Sequence, residues 1–144
     1  MRQVIESEAI PDGYLLCLNR ECPLANTCLR QLAEQKMTGD TKYWHIISPK
    51  YQSELKGECP DYRQEKKIVY AKGFLKMLGG LTVDQYKPVI NDLIRLFGRR
   101  SYYRVRKGER LLTPDEQQWV LRVLIRNGVD KPVEFDAYLE DYAW

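Results

Sequence analysis

Four cysteines, spaced C-x4-C-x5-C-x30-C at Cys17, Cys22, Cys28 and Cys59, constrain this chain more than any other feature. Four is the number that closes a tetrahedral metal site, and also the number of two disulfides or of four independent thiols. Paired C-x2-C knuckles, the commonest zinc signature, are absent, so geometry has to carry the argument. Were residues 23–37 all helix, Cys22 and Cys28 would lie about 9 Å apart along its axis, at a rise of ~1.5 Å per residue, and would point to different faces. A shared site therefore requires PLAN (residues 23–26) to be a loop, with a helix opening at Asn26. Cys28 then falls in the first helical turn, where the helix N-terminus favours a thiolate. Arg20 and Arg30 are placed to offset the charge of four thiolates. Cys17, after an apolar run, and Cys59, before Pro60, complete the set.

A structural zinc site on Cys17, Cys22, Cys28 and Cys59 is the leading expectation. Four separate thiols, an iron–sulfur cluster and disulfides remain alternatives. Cys59-Pro60 resembles the Cys-Pro that ends some ferredoxin motifs, although the spacing departs from theirs. His45, the sole histidine, is a substitute ligand if Cys17 points into the core. As a lone histidine on an aromatic stretch, its ordinary role is that of a hydrogen-bonded core residue.

The setting weighs against disulfides. The first residues, MRQVIESEAIPDG, are polar and acidic and lack the apolar stretch of a secretory signal. No run approaches a membrane span. A cytoplasmic location is expected, where thiols stay reduced. A length of 144 residues and 44% hydrophobic content suit one domain (1–144) with its own core.

Within it, residues 1–62 hold every cysteine and residues 63–144 read as mostly helical. GYLLCL (13–18) and TKYWHIIS (41–48) read as strands flanking the helix from Asn26, a small N-terminal sheet. RQEKKIVYAKGFLKMLGG (63–80) reads as a helix closed by Gly79-Gly80. LTVDQYKPVINDLIRLFG (81–98) is amphipathic, with Thr82 as cap, Gly98 as stop and Pro88 past the first turn, so that the helix either kinks there or starts near Lys87. TPDEQQWVLRVLIRNG carries the fullest helix signature: Thr113 as N-cap, Pro114 at N1, Glu116 closing a capping box and Gly128 as stop. VEFDAYLEDYAW (133–144) reads as a short final helix. The fold class expected is α+β.

The net charge of +3 is unevenly spread. Residues 95–110 carry seven basic side chains and one acidic. Alternation in RSYYRVRKGERLL, with Lys107-Gly108 as the turn, predicts a basic β-hairpin at 101–112. Arg99, Arg100, Tyr102, Tyr103, Arg104, Arg106, Lys107 and Arg110 interleave guanidinium forks with rings, a composition suited to phosphates and bases. The same residues also suit a solvated edge, an acidic protein surface, or pairing with the acidic tail at Glu134, Asp136, Glu140 and Asp141.

One histidine excludes most nucleophile–histidine arrangements. The chain has no phosphate-binding glycine loop and no HExxH, and four thiolates leave zinc no open position. A non-enzymatic binding module is expected. An iron–sulfur redox protein and a metal-free protein–protein adaptor are the alternatives.

CLNRECPLANTCLR, GECPDY, FGRRSYYRVRKGER and LTPDEQQWV together resemble an uncharacterised family of small proteins from gut anaerobic bacteria, known as a domain of unknown function. The resemblance runs over most of the chain. It implies a cytoplasmic bacterial setting and brings no activity or cofactor. An anaerobic host would also favour the iron–sulfur alternative.

Overall fold

Helix α1 (Leu29–Lys36) opens one residue after Cys28, which stands at its N-cap with extended backbone (φ −88°, ψ 120°). The computed structural model describes residues 10–144, so the reading of the first nine residues lies outside the described residues. Residues 23–27 form turns, closed by Ala25 N–H to Cys22 O (3.0 Å) and Thr27 N–H to Leu24 O (3.0 Å). The loop through PLAN is therefore present, and the helix starts three residues later than expected. Asn26 is not its cap.

Two units divide the chain: residues up to Lys66 with Tyr142–Trp144, and Lys67–Asp141. In the first, the expected N-terminal sheet reduces to a single parallel bridge between Leu16 and Ile46. Leu16 N–H donates to His45 O (2.8 Å) and Ile47 N–H to Leu16 O (3.0 Å), so the two runs do pair, through one residue only. Helix α2 (Pro49–Ser53) follows, with Ser48 Oγ accepting from Tyr51 N–H (3.3 Å) and Pro49 at N1. A second bridge, antiparallel, joins Cys28 to Gln64, with Leu29 N–H on Arg63 O (2.6 Å) and Glu65 N–H on Thr27 O (2.9 Å). Leu29 and Tyr142 are buried together, with Ile10, Leu32 and Trp144 packed on them.

In the second unit, 63–80 is not one helix. It forms strand β1 (Lys67–Lys72) and short helix α3 (Leu75–Gly79). Gly73 separates them at φ +75°, where an ideal Cβ would stand 2.7 Å from Asp136 Oδ2. Burial alternates over the first four residues of β1, with Ile68 and Tyr70 half-buried between exposed Lys67 and Val69, and then switches at the fully buried Ala71.

Helix α4 (Val83–Phe97) bears the Thr82–Gln85 capping box and continues through Pro88. Its Val89 and Leu93 are wholly buried, each side chain contributing about 1.5–3 kcal/mol. Gly98 (φ 80°, ψ 152°) ends α4 and begins helix α5 (Arg99–Lys107). Such dihedrals are essentially restricted to glycine. The predicted hairpin at 101–112 is therefore a helix, closed by Gly108 in the left-handed conformation.

Helix α6 (Pro114–Arg126) has the expected cap: Thr113 Oγ1 accepts from Glu116 N–H (3.3 Å) and Glu116 Oε1 from Thr113 N–H (3.1 Å). The final expected helix is instead strand β2 (Ala137–Tyr142), paired antiparallel with β1. Asp136 N–H reaches Gly73 O (2.9 Å) at one end of the ladder. Leu112 pairs with Ala71 on the other edge of β1. The core gathers Phe74, Met77 and Leu78 with Tyr102, Val105, Val120 and Leu124. The described residues thus form an α+β fold of six helices and a two-stranded sheet.

Candidate functional site

All four cysteines open onto one cavity of about 330 Å³ in the first unit. Cys17 and Cys28 are buried, Cys22 and Cys59 half-buried, and all four are free thiols. Local structure explains the convergence. The Leu16 bridge fixes Cys17. The turns after Cys22 fold its loop back to the N-cap at Cys28. The Cys28–Gln64 bridge carries the Cys59 segment alongside, and Cys59 O accepts from Tyr62 N–H (3.3 Å). Among the described residues, no group of three or more His, Cys, Asp or Glu side chains that could hold a metal ion occurs. The thiols share a cavity without forming a closed shell.

Cys17 Sγ accepts from two amides, Gln52 Nε2 (3.0 Å) and Gln31 Nε2 (3.4 Å). Gln31 is only 1% exposed. Its Oε1 accepts from Arg20 Nη1 (3.1 Å), and its Nε2 also donates to Asn19 O. Arg20 pairs with Glu34. Arg30 lines the cavity and is 9% exposed. It donates to Asp61 O (2.7 Å) and Leu15 O (2.9 Å), and its guanidinium lies 5.2 Å from the centroid of the Tyr14 ring. No described carboxylate pairs with it. Burial pushes the Tyr14 hydroxyl above its ordinary pKa, against the pull of Arg30 and Arg63.

His45 is exposed and lines a different cavity, beside Gly13, Tyr43 and Trp44. The structure does not bring it to the thiols, nor does it make it a core residue.

In the second unit, the predicted basic residues lie on α5 and its exit. Tyr102 and Val105 are buried and anchor the helix. Arg99, Tyr103 and Lys107 recur at four-residue intervals, as do Arg100 and Arg104, and all five are exposed. None of these four cations is in an ion pair among the described residues. Arg106 turns back over the Tyr102 ring (6.0 Å), and Arg110 Nη2 pairs with the buried Glu116 Oε2 (2.8 Å). The acidic tail does not neutralise the block through Asp136: its Oδ2 and Oδ1 accept from Leu75 N–H (2.8 Å) and Lys76 N–H (2.9 Å). Tyr102, Arg106 and Arg110 are thus structural, and the solvent face is Arg99, Arg100, Tyr103, Arg104 and Lys107.

A family model matches residues 1–144. The chain belongs to DUF6078, a family of unknown function. No curated protein and no solved structure matches it.

In this DUF6078 chain, sequence reasoning missed Gln31 and Gln52. The one available signal was spacing: Gln31 follows the N-cap Cys28 by three residues and so shares its side of α1. Nothing local in the sequence marks Gln52, which reaches Cys17 across 35 residues. No described helix is long and apolar enough to cross a membrane.

Proposed function

We propose that this DUF6078 chain is a non-enzymatic binding module whose first unit is held by a structural four-cysteine zinc site. The observation that carries the reading is a buried arginine, Arg30, without a carboxylate partner among the described residues, on the cavity that all four thiols line. A buried cation is costly unless compensated. Four thiolates around a dipositive ion carry a net charge of −2, which Arg30 partly offsets. The Gln31 and Gln52 amides already donate to Cys17 Sγ, as outer-shell donors to a metal thiolate do. The loop-borne Cys22 and Cys59 would have to turn toward Cys17 and Cys28 to close the shell around the ion.

Elemental analysis of freshly purified full-length protein, with thiol counting on the same sample, tests this. One zinc per chain, with no reactive thiol before denaturation, is expected. Four titratable thiols without metal overturn it. Iron in an anaerobically prepared, coloured sample would assign the site to an iron–sulfur cluster instead.

The binding surface in this reading is the exposed face of α5, which fits a phosphate backbone. Four cations on one helix face, unpaired among the described residues, support it, and binding there should weaken steeply with salt. Replacing Arg99, Arg100 and Arg104 together by Gln should reduce affinity for duplex and single-stranded probes alike. An unchanged affinity overturns the assignment of α5.

A further inference from the structure

Helices α4 and α6 enclose an open trough of about 540 Å³ in which three arginines and a tryptophan meet. Trp119, Arg122 and Arg126 recur along one face of α6, while Asp92 and Arg95 face them from α4. Trp119 is 42% exposed, and its ring has no stacking or hydrogen-bond partner among the described residues. Its exposed indole offers a flat face on which a planar base can stack.

Two of the arginines around it, Arg95 and Arg126, are paired with a carboxylate yet open to solvent. Asp92 Oδ2 lies 3.1 Å from Arg126 Nη2, and Asp92 Oδ1 lies 3.7 Å from Arg95 Nη1. Asn127 Nδ2 braces the same carboxylate (3.0 Å). That hydrogen bond, aided by Arg126, holds Asp92 below the usual carboxylate range, so it stays charged. The two arginine side chains nevertheless remain 82% and 66% exposed, and Arg122 is exposed with no ion pair among the described residues. One carboxylate against three guanidiniums leaves the trough positive.

We propose that the trough between α4 and α6 is a docking site for single-stranded nucleic acid, with an unpaired base stacked on Trp119 and its flanking phosphates on Arg95, Arg122 and Arg126. It rests on the reading of this unit as a polyanion-binding one, but adds a distinct contact with a different preference. The chemistry favours single strands. A duplex keeps its bases stacked inside and presents only phosphates, for which the ring has no use. A phosphopeptide would use the guanidiniums but has no planar base for the indole. A free nucleotide calls for an enclosed pocket, whereas this trough is open along its length and suits a passing strand.

Fluorescence anisotropy of a labelled oligo-dT and of a duplex of equal length, at low salt, tests the proposal with the full chain. Trp119→Leu should weaken oligo-dT binding about tenfold, the scale of losing one stacked base, while leaving duplex binding within about twofold. Arg122→Gln, on an exposed helix position, should weaken oligo-dT binding by a smaller factor and reduce its salt dependence. Melting temperatures of both variants within a few degrees of the parent would show that folding is intact. If oligo-dT binds and neither substitution changes its affinity, the trough assignment is overturned and the α5 reading stands. Equal losses for duplex and single strand on Trp119→Leu also overturn it. If the parent protein binds neither probe, both readings fall together.

Discussion

At the scale of single residues, Gly73 and Tyr14 hold the most in place. Gly73 joins β1 to α3 at positive φ, and the place a Cβ would take is already filled by Asp136 Oδ2, with Arg106 O at 3.3 Å. Asp136 occupies that spot because it caps α3. Gly73→Ala therefore strains the backbone and displaces the cap at once. A loss of about 2 kcal/mol or more is expected in urea denaturation, from the left-handed conformation and the lost hydrogen bonds together. Tyr14 has a buried hydroxyl without a hydrogen-bond partner among the described residues. Its folded pKa lies above 10.0, so the neutral ring is the favoured form in the native state. Its contribution is intact below about pH 10 and is lost as pH rises, because the unfolded chain releases the proton first. Tyr14→Phe should leave stability at pH 7 unchanged or higher and should flatten part of the alkaline decline, read from denaturation midpoints at about pH 7 and 10.5.

At the scale of elements, legibility in the sequence followed how local the determinants are. Helix α6 was fully readable because Thr113, Pro114 and Glu116 act within one turn. Thr113→Ala removes the cap's acceptor for Glu116 N–H, and a loss of about 1 kcal/mol is expected by thermal melting. Helix α4 was readable through Thr82, while the Gln85 half of its capping box shows only in the structure. Where the reading went wrong, the deciding partner lay far away. β1 forms because Leu112 and β2 flank it, and nothing in KIVYAK announces either. β2 looked helical for want of that same partner. The hairpin misreading has a different cause. Lys107-Gly108 suits a two-residue turn, whereas Gly108 caps α5, and both roles accommodate a glycine at positive φ. The convergence of the cysteines was half legible: helix geometry demanded the loop between Cys22 and Cys28, but the Gln31 and Gln52 amides on Cys17 depend on folding.

At the scale of the whole molecule, the two units make separable predictions. If zinc holds the first, a strong chelator applied to the full chain should act regionally. Hydrogen exchange should rise across residues 10–66 and 142–144, while α4, α5 and α6 keep their protection. Uniform loss of protection would mean that the units do not melt separately, and no change would argue against a structural ion. The α5 face and the α4–α6 trough both lie on the second unit, so chelation should leave nucleic-acid affinity largely in place.

Tyr142–Trp144 belong with the first unit although residues 67–141 intervene. Trp144 meets the rings of both Tyr142 (5.6 Å) and Tyr14 (5.1 Å) edge-on. On a translating ribosome the thiol-bearing segment therefore emerges long before its own last packing partners. The inserted unit is complete at Asp141, immediately before the three residues that close the first. The cysteine unit therefore cannot complete its packing until residues 67–141 have been made.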